Sequence, residues 1–331
     1  MDELASVIIV TYNSRHYLDA CLRSVLRQDY PHEVIVVDNC SQDGTVQYIR
    51  ESFPEVKVIE SPENGGYGAG NNLGVRYAKG KYVVILNPDV IVEAGWLQRL
   101  ISPLGGNPMV IVTPKILLYD GSAINTCGNI NNFTGLTFTR GLGADPVTDY
   151  CHMENVSGIS GACFALRCEE YVRLGGFDES FFLYNEDADL SWRANLLGYS
   201  ILSIPDSVIY HDYQLRVSPE KIYHLEKGRY LILRKYLSRD EFFLLLPSLM
   251  MAEVLTFGYA ARFGFKGLKY KFSALRDGFT ANVHKLTGDK KALMAHLSPS
   301  IPEDQLTFTR VERLGRVFAN KVLQWNFRAI R

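Results

Sequence analysis

Short apolar runs alternate with amphipathic segments over the first 90 residues of the chain. Four of these runs predict buried strands: Ser6–Val10, Glu33–Val37, Val56–Ile59 and Tyr82–Leu86. Apolar residues recur at helical spacing between the first two runs, at Leu18, Cys21, Leu22, Val25 and Leu26. Strands that alternate with helices at this spacing predict βαβ units and a mostly parallel sheet, which places the chain in the α/β class.

The pattern from Ile91 to Tyr210 is less regular. Residues 120–157 are rich in Gly, Asn and Thr, which predicts loops with short antiparallel strands. A helix is predicted over Asp189–Leu197, because Gly198 just past its end is a common helix stop. Further apolar runs predict four more strands: Val110–Thr113, Gly161–Leu166, Ser200–Ile204 and Val208–Tyr210.

The last third of the chain has a different pattern. Phe242–Phe263 is strongly apolar but contains Pro247, Glu253 and Arg262, so it fits a spanning helix of about 20 apolar residues only marginally. The sequence leaves open whether this segment enters a bilayer or packs on the rest of the protein. Arg262–Arg276 has five basic residues and no acid, interleaved with aromatic and aliphatic side chains. Helices of this composition are typical of a membrane interface.

A second basic segment, Arg310–Arg331, carries six basic residues and one acid. Its apolar residues recur at helical spacing, at Val311, Leu314, Phe318, Val322 and Trp325. This pattern also predicts a helix that lies in a membrane interface.

The net charge of −1 hides a division of the chain into two parts. Residues 1–215 carry 14 basic and 26 acidic side chains, whereas residues 216–331 carry 21 and 10, so the two parts have formal charges of −12 and +11. We therefore predict an α/β domain over residues 1–215 and a basic helical region over residues 216–331. The basic region suits nucleic acid, anionic lipid or an acidic partner.

The cysteines and the N-terminus indicate a reducing compartment. Six cysteines are scattered without a CxxC pair, which favours buried thiols over a disulfide framework or a zinc site. The first residues, MDELASVIIVTYN, lack a basic lead, so their apolar run is expected to be a strand and not a signal peptide. We expect a cytoplasmic protein.

Polar residues stand where the predicted strands end, at Thr11, Tyr12, Asn13, Asp38, Asn87 and Asp89. Ligands of parallel sheets bind beyond the carboxyl ends of the strands, so these residues are candidates for a binding site. Asp38 can accept hydrogen bonds from a pyrimidine base, or it can close an Asx turn or cap a helix. Asp89 can hold Mg²⁺ or Mn²⁺ against a diphosphate, or Asn87-Pro88-Asp89 can be a plain turn.

The segment Asn64–Gly74, NGGYGAGNNLG, is predicted to be a glycine-rich loop that runs into a helix. Glycine lets a backbone approach a ligand closely, so Asn64 and Asn71 become candidate ligand contacts. A plain flexible turn fits equally well. The dinucleotide fingerprint is excluded, because TYNSRHYL stands after the first strand where GxGxxG is required.

The segment Phe177–Arg193 combines carboxylates with aromatic side chains. Phe181, Phe182, Tyr184 and Glu186 are suited to a sugar acceptor, because flat apolar faces pack against pyranose rings. Asp187 lies at a predicted helix N-terminus, where the helix dipole favours the ionised base that a hydroxyl proton requires. Asp187 can instead be a helix cap, and Asp189–Arg193 is expected to be an i,i+4 ion pair. His211, after an apolar strand, is a metal or diphosphate ligand or a structural residue.

Five segments, in this order, resemble motifs of the family 2 inverting glycosyltransferases: SVIIVTYN, VIVVDNCSQDGT, GKYVVILNPDV, GACFALR and GGFDESFFLYNEDADLSWR. Together with His211 they cover residues 5–215. The resemblance implies the GT-A fold, in which a mostly parallel, nucleotide-binding sheet is flanked by helices.

The resemblance also implies roles for single residues. Asp38 is expected to contact the nucleobase, Asp89 the metal, and Asp187 is expected to be the catalytic base. His211 matches the family's later metal or diphosphate ligand. Many members carry two acids in the metal motif, whereas Asn87 replaces the first one here, which puts tight metal binding in doubt. A divalent cation, Mg²⁺ or Mn²⁺, is therefore expected to bind together with the nucleotide.

SPENGGYGAGNNLG and LNPDV look most like the rhamnosyltransferase branch, which implies a nucleotide-rhamnose donor and an acceptor sugar linked to a polyprenyl diphosphate. We expect inversion at the anomeric carbon, with cell-surface polysaccharide as the final product. The basic C-terminal region then associates peripherally with an anionic membrane on its cytoplasmic face, and no nucleic acid is expected. The oligomeric state is left open.

Three alternatives from other classes remain at this point. A protein of the same fold can bind a nucleotide sugar or a lipid head group without turnover. A nucleotidyltransferase would need a basic glycine-rich loop after the first strand, and TYNSRHYL contains only one Arg and no Gly. Nucleic-acid binding by the basic segments would be salt-sensitive.

Overall fold

The computed structural model describes residues 3–213, 218–303, 305 and 309–328. Two compact units are distinguished by their internal packing. The first comprises residues 1–129, 139–194 and 199–214, and the second comprises residues 130–138, 195–198 and 215–331. The second unit thus takes up two short segments that lie before residue 215 in the sequence. The boundary proposed at residue 215 itself lies outside the described residues.

A ten-stranded mixed sheet forms the centre of the first unit. Its order is β10-β12-β6-β11-β4-β1-β2-β3, with β5 paired to β12 and β7 paired to β6; β8 and β9 form a separate two-stranded sheet. The strands are β1 Ala5–Thr11, β2 His32–Asp38, β3 Lys57–Glu60, β4 Tyr82–Leu86, β5 Val90–Val92, β6 Val110–Leu118, β7 Ile124–Thr126, β8 Asn129–Asn131, β9 Thr137–Thr139, β10 Glu154–Asn155, β11 Cys163–Arg167 and β12 Ser200–His211.

Parallel pairing joins β1 to β2 and β4, and β2 to β3, as the βαβ pattern predicts. In contrast, β11 runs antiparallel between β4 and β6. The two runs Ser200–Ile204 and Val208–Tyr210 form one strand, β12, with an irregularity between Ile204 and Val208. The fold is therefore α/β with a mixed sheet, whose part β3-β2-β1-β4 is parallel as expected from the sequence.

Alternate residues of the central strands pack on opposite faces of the sheet, because side chains of a strand alternate in direction. Val7 and Ile9 belong to one buried cluster, together with Leu22 and Trp96. Ile8 belongs to the other buried cluster, with partners that include Val10, Tyr171 and Leu190. Both faces of β1 are buried, which explains its uninterrupted apolar run.

The helices are α1 Leu18–Leu26, α2 Thr45–Ser52, α3 Gly66–Val75, α4 Trp96–Ile101, α5 Cys168–Arg173, α6 Glu186–Leu196, α7 Pro219–Tyr236, α8 Arg239–Leu244, α9 Leu246–Ala261, α10 Gly264–Thr280, α11 Lys290–His296 and α12 Arg310–Phe327. Helix α6 begins three residues before the predicted start at Asp189. It ends two residues before Gly198, which adopts a positive φ of 81°.

The glycine-rich segment is not the predicted loop, because most of it is helix α3. Glycine allows this helix to approach the sheet closely: a Cβ at Gly74 would collide with the side chain of Ile8 on β1. Gly66 begins the helix with a positive φ of 86°, and a Cβ there would collide with the backbone carbonyl of Phe182. The glycines therefore serve helix–sheet and helix–loop packing.

The second unit is mainly helical and includes α7–α12. The apolar segment Phe242–Phe263 is divided between α8 and α9 at Leu245, and Pro247 lies in the first turn of α9, where its missing N–H costs least. Among the described residues, no helix is both long and apolar enough to cross a bilayer. Of the predicted segment Arg310–Arg331, the last three residues and the side chain of Val311 lie outside the described residues.

Four charged residues meet in the second unit, and three of them are buried while Glu253 is half-buried. Arg229 on α7 pairs with Glu226 at 2.8 Å and with Glu253 of α9, while Lys271 of α10 pairs with Glu226 and lies 2.9 Å from Glu253. Two acids and two bases balance one another, which offsets the cost of removing them from water. We call this set the buried charge cluster.

Candidate active site

Polar side chains meet where the parallel strands β1 and β2 end. Thr11 and Asp38 are register partners, and the Thr11 hydroxyl donates to Oδ1 of Asp38 at 2.9 Å. The backbone N–H of Ser41 donates to Oδ2 of Asp38 at 2.9 Å. Both oxygens of this buried carboxylate therefore accept hydrogen bonds within the protein, as in an Asx turn. A contact between Asp38 and a nucleobase stays a prediction.

Other residues predicted to bind the donor differ in their exposure. Tyr12 is exposed, and so is Asn13, whose Oδ1 accepts from the N–H of Gln42 at 2.8 Å. Asn64 is half-buried and caps Gly66 with its Oδ1 at 3.0 Å. Asn71 is fully buried inside α3 and donates to the Tyr67 carbonyl at 3.0 Å, so its side chain does not face solvent.

Asp89 and His211 lie together after β4 and at the end of β12. Oδ1 of Asp89 is 3.3 Å from Nε2 of His211 and has no hydrogen-bond partner among the described residues. On the other side of the ring, Nδ1 lies 3.2 Å from Oδ1 of Asn125. When Nδ1 carries the ring proton and donates it to Asn125, the lone pair of Nε2 faces Asp89.

Two facing lone pairs suit a divalent cation. Asn87 adds a buried amide oxygen that has no partner among the described residues. No group of three or more His, Cys, Asp or Glu side chains with the geometry of a metal site occurs in the described part of the chain. Asp89, His211 and Asn87 therefore fit a cation that takes further oxygen ligands from a bound diphosphate.

Tyr17 and Asp212 lie next to the candidate cation site at Asp89 and His211. The hydroxyl of Tyr17 donates to Oδ2 of Asp212 at 3.0 Å, and the N–H of Asp212 donates to the carbonyl of Asp89 at 3.1 Å. Burial, the hydrogen bond to Asp212 and the nearby carboxylates raise the pKa of Tyr17 to about 12. Tyr17 therefore stays a neutral donor at physiological pH and holds Asp212 in place.

Asp187 lies in the first turn of α6, as predicted. Its Oδ2 accepts from the backbone N–H of Gly161 at 2.9 Å and from Nδ2 of Asn129 at 3.4 Å, while Oδ1 accepts from the N–H of Ala188 at 2.8 Å. Burial raises the pKa of Asp187, and the N–H groups of Gly161 and Ala188 oppose that rise. The N–H groups at the helix start thus stabilise the ionised form of Asp187, as the sequence predicted, but burial shifts its pKa upward, in the opposite direction.

Glu186 is buried beside Asp187, and its Oε2 has no partner among the described residues. Burial and the charge of Asp187 raise the pKa of Glu186 to about 8. At pH 7 Glu186 therefore retains a proton, and the backbone N–H groups that face Asp187 favour the negative charge of the pair on Asp187. The hydroxyl of Tyr67 donates to the Gly161 carbonyl at 2.5 Å and adds a neutral donor near this pair.

The aromatic segment before α6 has an unusual backbone. Phe182, Tyr184 and Asn185 all adopt positive φ angles, of 64°, 64° and 67°. Such angles are uncommon for non-glycine residues and cost energy that the surrounding packing must offset. Phe182 is partly exposed and Tyr184 is half-buried, but Phe181 is fully buried. The Phe181 ring therefore packs in the interior, which differs from its expected place against an acceptor sugar.

The predicted ion pair between Asp189 and Arg193 is confirmed. It is buried, with a distance of 2.7 Å, and Arg193 also donates to the Leu174 carbonyl. All six cysteines are free thiols, but only some are buried as predicted: Cys21, Cys127 and Cys163 are buried, Cys40 and Cys168 are half-buried, and Cys151 is exposed.

Sequence reasoning missed Asn125, Asn129, Gly161 and Tyr17. The asparagines lie in a segment whose composition predicts only loops, and Tyr17 precedes a helix without any motif around it. Asp212 could have been identified as a candidate site residue from the sequence, because it follows His211 directly at the end of β12. Gly161 begins the GACFAL run, and the sequence pattern there indicates only the start of a strand.

A model of one protein family, described as glycosyl transferase family 2, matches residues 6–172. The chain is 28 % identical over 239 residues to the N-acetylglucosaminyl-diphospho-decaprenol L-rhamnosyltransferase of Mycobacterium tuberculosis, covering 64 % of this chain and 76 % of that protein. It is 25 % identical over 263 residues to the rhamnosyltransferase WbbL of Escherichia coli, covering 71 % and 96 %.

Among solved structures, the fold is similar to that of GalNAc-T7, crystallised with UDP, GalNAc and Mn²⁺. The TM-score is 0.61 at 19 % identity, over 82 % of this chain and 54 % of that one, which shows the fold alone. The fold is GT-A-like, and residues 6–172, which the family model matches, include β2, β4, β11 and the turn that contains Gly161. This chain is a glycosyltransferase and belongs to glycosyl transferase family 2.

Proposed function

We propose that this glycosyltransferase moves a sugar from a nucleotide donor to a hydroxyl of a lipid-linked saccharide, with inversion at the anomeric carbon. The observation that carries the proposal is the setting of Asp187. Backbone N–H groups hold this half-buried carboxylate, and the neighbouring Glu186 takes the proton that the pair retains at pH 7. Asp187 is thereby kept as an ionised base beside a partly exposed aromatic segment.

Rhamnose from dTDP-rhamnose is the first candidate donor, and a polyprenyl-diphosphate-linked sugar is the first candidate acceptor. The support is the M. tuberculosis relative, whose name specifies an L-rhamnosyl transfer and an N-acetylglucosaminyl-diphospho-decaprenol. The E. coli relative is also named a rhamnosyltransferase. A lipid-linked acceptor of this type serves the synthesis of cell-surface polysaccharide.

In the proposed reaction, Asp187 accepts the proton of the acceptor hydroxyl as its oxygen attacks the anomeric carbon. The bond between that carbon and the nucleoside diphosphate breaks on the opposite face, so the configuration inverts. The products are the glycoside, the nucleoside diphosphate and the proton held by Asp187. A base positioned in this way typically contributes about 10²–10⁴ in rate.

The donor is proposed to lie over the ends of β1, β2 and β4. Thr11, Tyr12, Asn13 and Asp38 would surround the nucleotide, with Asn64, Asn71 and Asn87 as further proposed contacts. Of these residues, Tyr12 and Asn13 are exposed and Asn64 and Asn87 are half-buried. The other three are buried and would have to be uncovered by the nucleotide: Thr11, Asp38 and Asn71.

A divalent cation, Mg²⁺ or Mn²⁺, is proposed to bind with the nucleotide at Asp89 and His211, supported by Asn87. The facing acceptors Nε2 of His211 and Oδ1 of Asp89 are the structural basis for this proposal. When bound, such a cation stabilises negative charge on a leaving diphosphate. Asn125 would keep the His211 ring oriented for that role.

On the acceptor side, Phe182 and Tyr184 are proposed to pack against the sugar, with Glu186 beside them. Since the acceptor carries a lipid, we also propose that the basic helical region associates peripherally with the anionic inner face of the cell membrane. Helices α10 and α12 contain the basic segments that support this part of the proposal.

A transfer assay tests the function. Full-length protein is first screened by thermal shift against dTDP-, UDP- and GDP-linked sugars, each with and without Mn²⁺. The stabilising donor is then incubated with a polyprenyl-diphosphate-linked N-acetylglucosamine, and the product linkage is determined by NMR. Transfer with inverted configuration is the expected result. Donor binding without transfer or donor hydrolysis would contradict the proposal and favour a binding protein.

A further inference from the structure

Helix α9 leaves an apolar stripe exposed in the second unit. Leu246, Met250 and Val254 follow one another at intervals of four residues and are all exposed, and Phe243 of α8 precedes them. A spacing of four keeps side chains on one face of a helix. Exposed apolar side chains that form a contiguous stripe mark an interaction surface more often than isolated ones do.

The opposite face of α9 is occupied. Ser248, Leu249, Ala252 and Ala260 are buried, and Glu253 at the border joins the buried charge cluster of α7 and α10. The inner face of α9 is therefore already packed against other helices of the second unit. Only the outer stripe remains available to a partner.

Helix α10 runs beside α9 and has a similar division. Its inner face packs on α7, where a Cβ at Gly278 would lie 2.7 Å from the side chain of Tyr230. Phe265 and Phe272 are exposed, and the Phe272 ring lies 5.2 Å from the ring of Phe257 on α9. Exposed aromatic rings of α10 thus adjoin α9.

Helix α12 also packs against α9 and runs antiparallel to it. Near one end, Asn326 accepts from the N–H of Ser248 at 3.2 Å and donates to the Leu244 carbonyl at 2.8 Å. Near the other end, Glu312 pairs with Arg262. Between these anchors, α12 exposes four apolar side chains at helical spacing: Leu314, Val317, Phe318 and Trp325.

The charges around these stripes have one sign. Lys269, Arg313 and Lys321 are exposed, and the described residues give them no ion-pair partner. The acids of the same three helices are all paired within the protein, Glu253 with Arg229, Asp277 with Arg276 and Glu312 with Arg262. The uncompensated charge of α9, α10 and α12 is therefore positive.

We propose that α9, α10 and α12 form one docking face for an anionic bilayer. The stripe Phe243, Leu246, Met250 and Val254 is its apolar centre at the acyl boundary, and Lys269, Arg313 and Lys321 contact lipid phosphates. This inference rests on the membrane association proposed above and assigns it to α9 as well as to the two basic helices. Apolar burial and charge attraction act together in such interfacial helices.

Charge complementarity favours a bilayer over a second copy of the chain. In a two-fold dimer the same face meets itself, so cations of the two copies would be brought together around the apolar stripe. An anionic lipid surface supplies the opposite charge on all sides of the stripe, with about 1 kcal/mol per basic residue near the surface as an upper figure.

Flotation of full-length variants tests the docking face. Val254→Asp places a charge on the stripe, and Val172→Asp is its matched control, because both valines are 67 % exposed and Val172 lies in the first unit. The vesicles contain phosphatidylcholine alone or mixed with phosphatidylglycerol, whose negative charge attracts basic segments. We expect the Val254 variant to lose at least about tenfold in partitioning to anionic vesicles and the Val172 variant to match wild type.

Trp325 supplies a second readout in the unmodified protein. Trp96 and Trp192 are fully buried, whereas Trp325 is 66 % exposed on α12. Anionic vesicles with brominated acyl chains should quench and blue-shift its emission, and Trp325→Phe should remove the change.

The outcomes separate the inference from the proposals on which it depends. Equal flotation of the Val254 variant and wild type, or no quenching of Trp325, would overturn the docking face. Failure of wild type to float would overturn the membrane association itself. A stable dimer that Val254→Asp dissociates without vesicles would assign the face to a second copy and also overturn the inference. Transfer to a short-chain, water-soluble acceptor should be equal in all variants, and its absence from all would count against the transferase proposal alone.

Discussion

The backbone N–H of Gly161 donates a hydrogen bond of 2.9 Å to Oδ2 of Asp187. One residue later, the Ala162 carbonyl accepts from the N–H of Asn87 at 2.9 Å. The short segment before β11 thus joins the acid of α6 to the turn that contains Asp89. The bond from Asn87 to Ala162 joins two backbone groups, so it holds the segment in place when the side chain of Asp187 is changed.

Asp187→Asn should reduce turnover at least about a hundredfold and leave donor affinity nearly unchanged. The amide oxygen can still accept from Gly161, so the segment stays in position while the base is lost. Turnover is measured by transfer to the lipid-linked acceptor, and donor affinity by calorimetry. Turnover close to wild type in this variant would remove Asp187 from the role of base.

Asn129→Asp should move the acidic limb of the activity profile to higher pH. The new carboxylate would lie beside Oδ2 of Asp187, where Nδ2 of Asn129 now donates at 3.4 Å, and a like charge raises the pKa of its neighbour. A base with a raised pKa is protonated over more of the acidic range, so kcat/KM near pH 6 should fall several-fold and recover at high pH. The exposed Asn107→Asp serves as control, and superimposable profiles of the two variants would contradict a contact of Asn129 with the base.

The sequence predicted the sheet well, because its strands depend on local signals. The uninterrupted apolar runs at Ile8 and Ile85 indicated strands buried on both faces, and the polar residues after them marked the ligand side of the sheet. A helix was predicted after the glycine-rich segment, but the start of α3 at Gly66 was not, since five glycines within Asn64–Gly74 argue locally for a loop. Its glycines are required by packing against Ile8 and Phe182, and these are contacts over long distances in sequence.

The candidate site was predicted only in part for the same reason. Asp187, Asp89 and His211 stand at element ends, where position alone suggests a role. Asn129 and Asn125 gain their importance from side chains that lie 58 and 86 residues further along the chain. No local pattern reports such partners. The raised pKa values of Glu186 and Asp187 also depend on burial, which the sequence alone does not give.

Glu186→Gln should make stability less dependent on pH. The pKa of Glu186 rises from 4.5 to about 8 on folding, through burial and then the charge of Asp187. The folded protein therefore holds a proton that the unfolded chain loses near pH 4.5. This contribution to stability is fully present below that pH and is lost as pH rises through about 8, by at most about 1.4 kcal/mol per pH unit.

Glutamine keeps its hydrogens throughout, so melting temperatures between pH 5 and 8.5 should fall more steeply in wild type. The exposed Glu63→Gln should behave as wild type, and equal slopes in all three proteins would refute the assignment.

Asp89→Asn should weaken the contribution of Mn²⁺ to nucleotide binding. The amide retains the shape of the side chain but removes the charge that faces His211 at 3.3 Å. In wild type we expect Mn²⁺ and a nucleoside diphosphate together to stabilise the protein more than the sum of each alone. In the variant this excess should vanish, with at least about a tenfold loss of Mn²⁺ affinity. Asp120→Asn, at an exposed turn, is the matched control. An unchanged excess in Asp89→Asn would show that the cation binds elsewhere.

The buried charge cluster of the second unit yields a prediction about stability. Lys271 is fully buried and also donates to the hydroxyls of Tyr230 and Thr256, each at 2.8 Å. Lys271→Met would leave Glu226 and Glu253 with Arg229 as their single cation. Removal of one partner from a buried ionic group typically costs about 3–5 kcal/mol, since an uncompensated charge remains in the interior.

Lys269→Met is the natural comparison, because Lys269 lies two residues earlier on α10 and is exposed without an ion pair among the described residues. Its free energy of unfolding should stay within about 0.5 kcal/mol of wild type. The double variant Lys271→Met/Glu226→Gln restores the charge balance, so it should recover part of the loss. The free energies of unfolding of the three variants are measured by urea denaturation, followed by the far-ultraviolet circular dichroism of the helices. Equal stability of the Lys271 and Lys269 variants would contradict this prediction. Loss of the buried cation would then cost no more than loss of an exposed one, so the cluster would contribute no net electrostatic stabilisation.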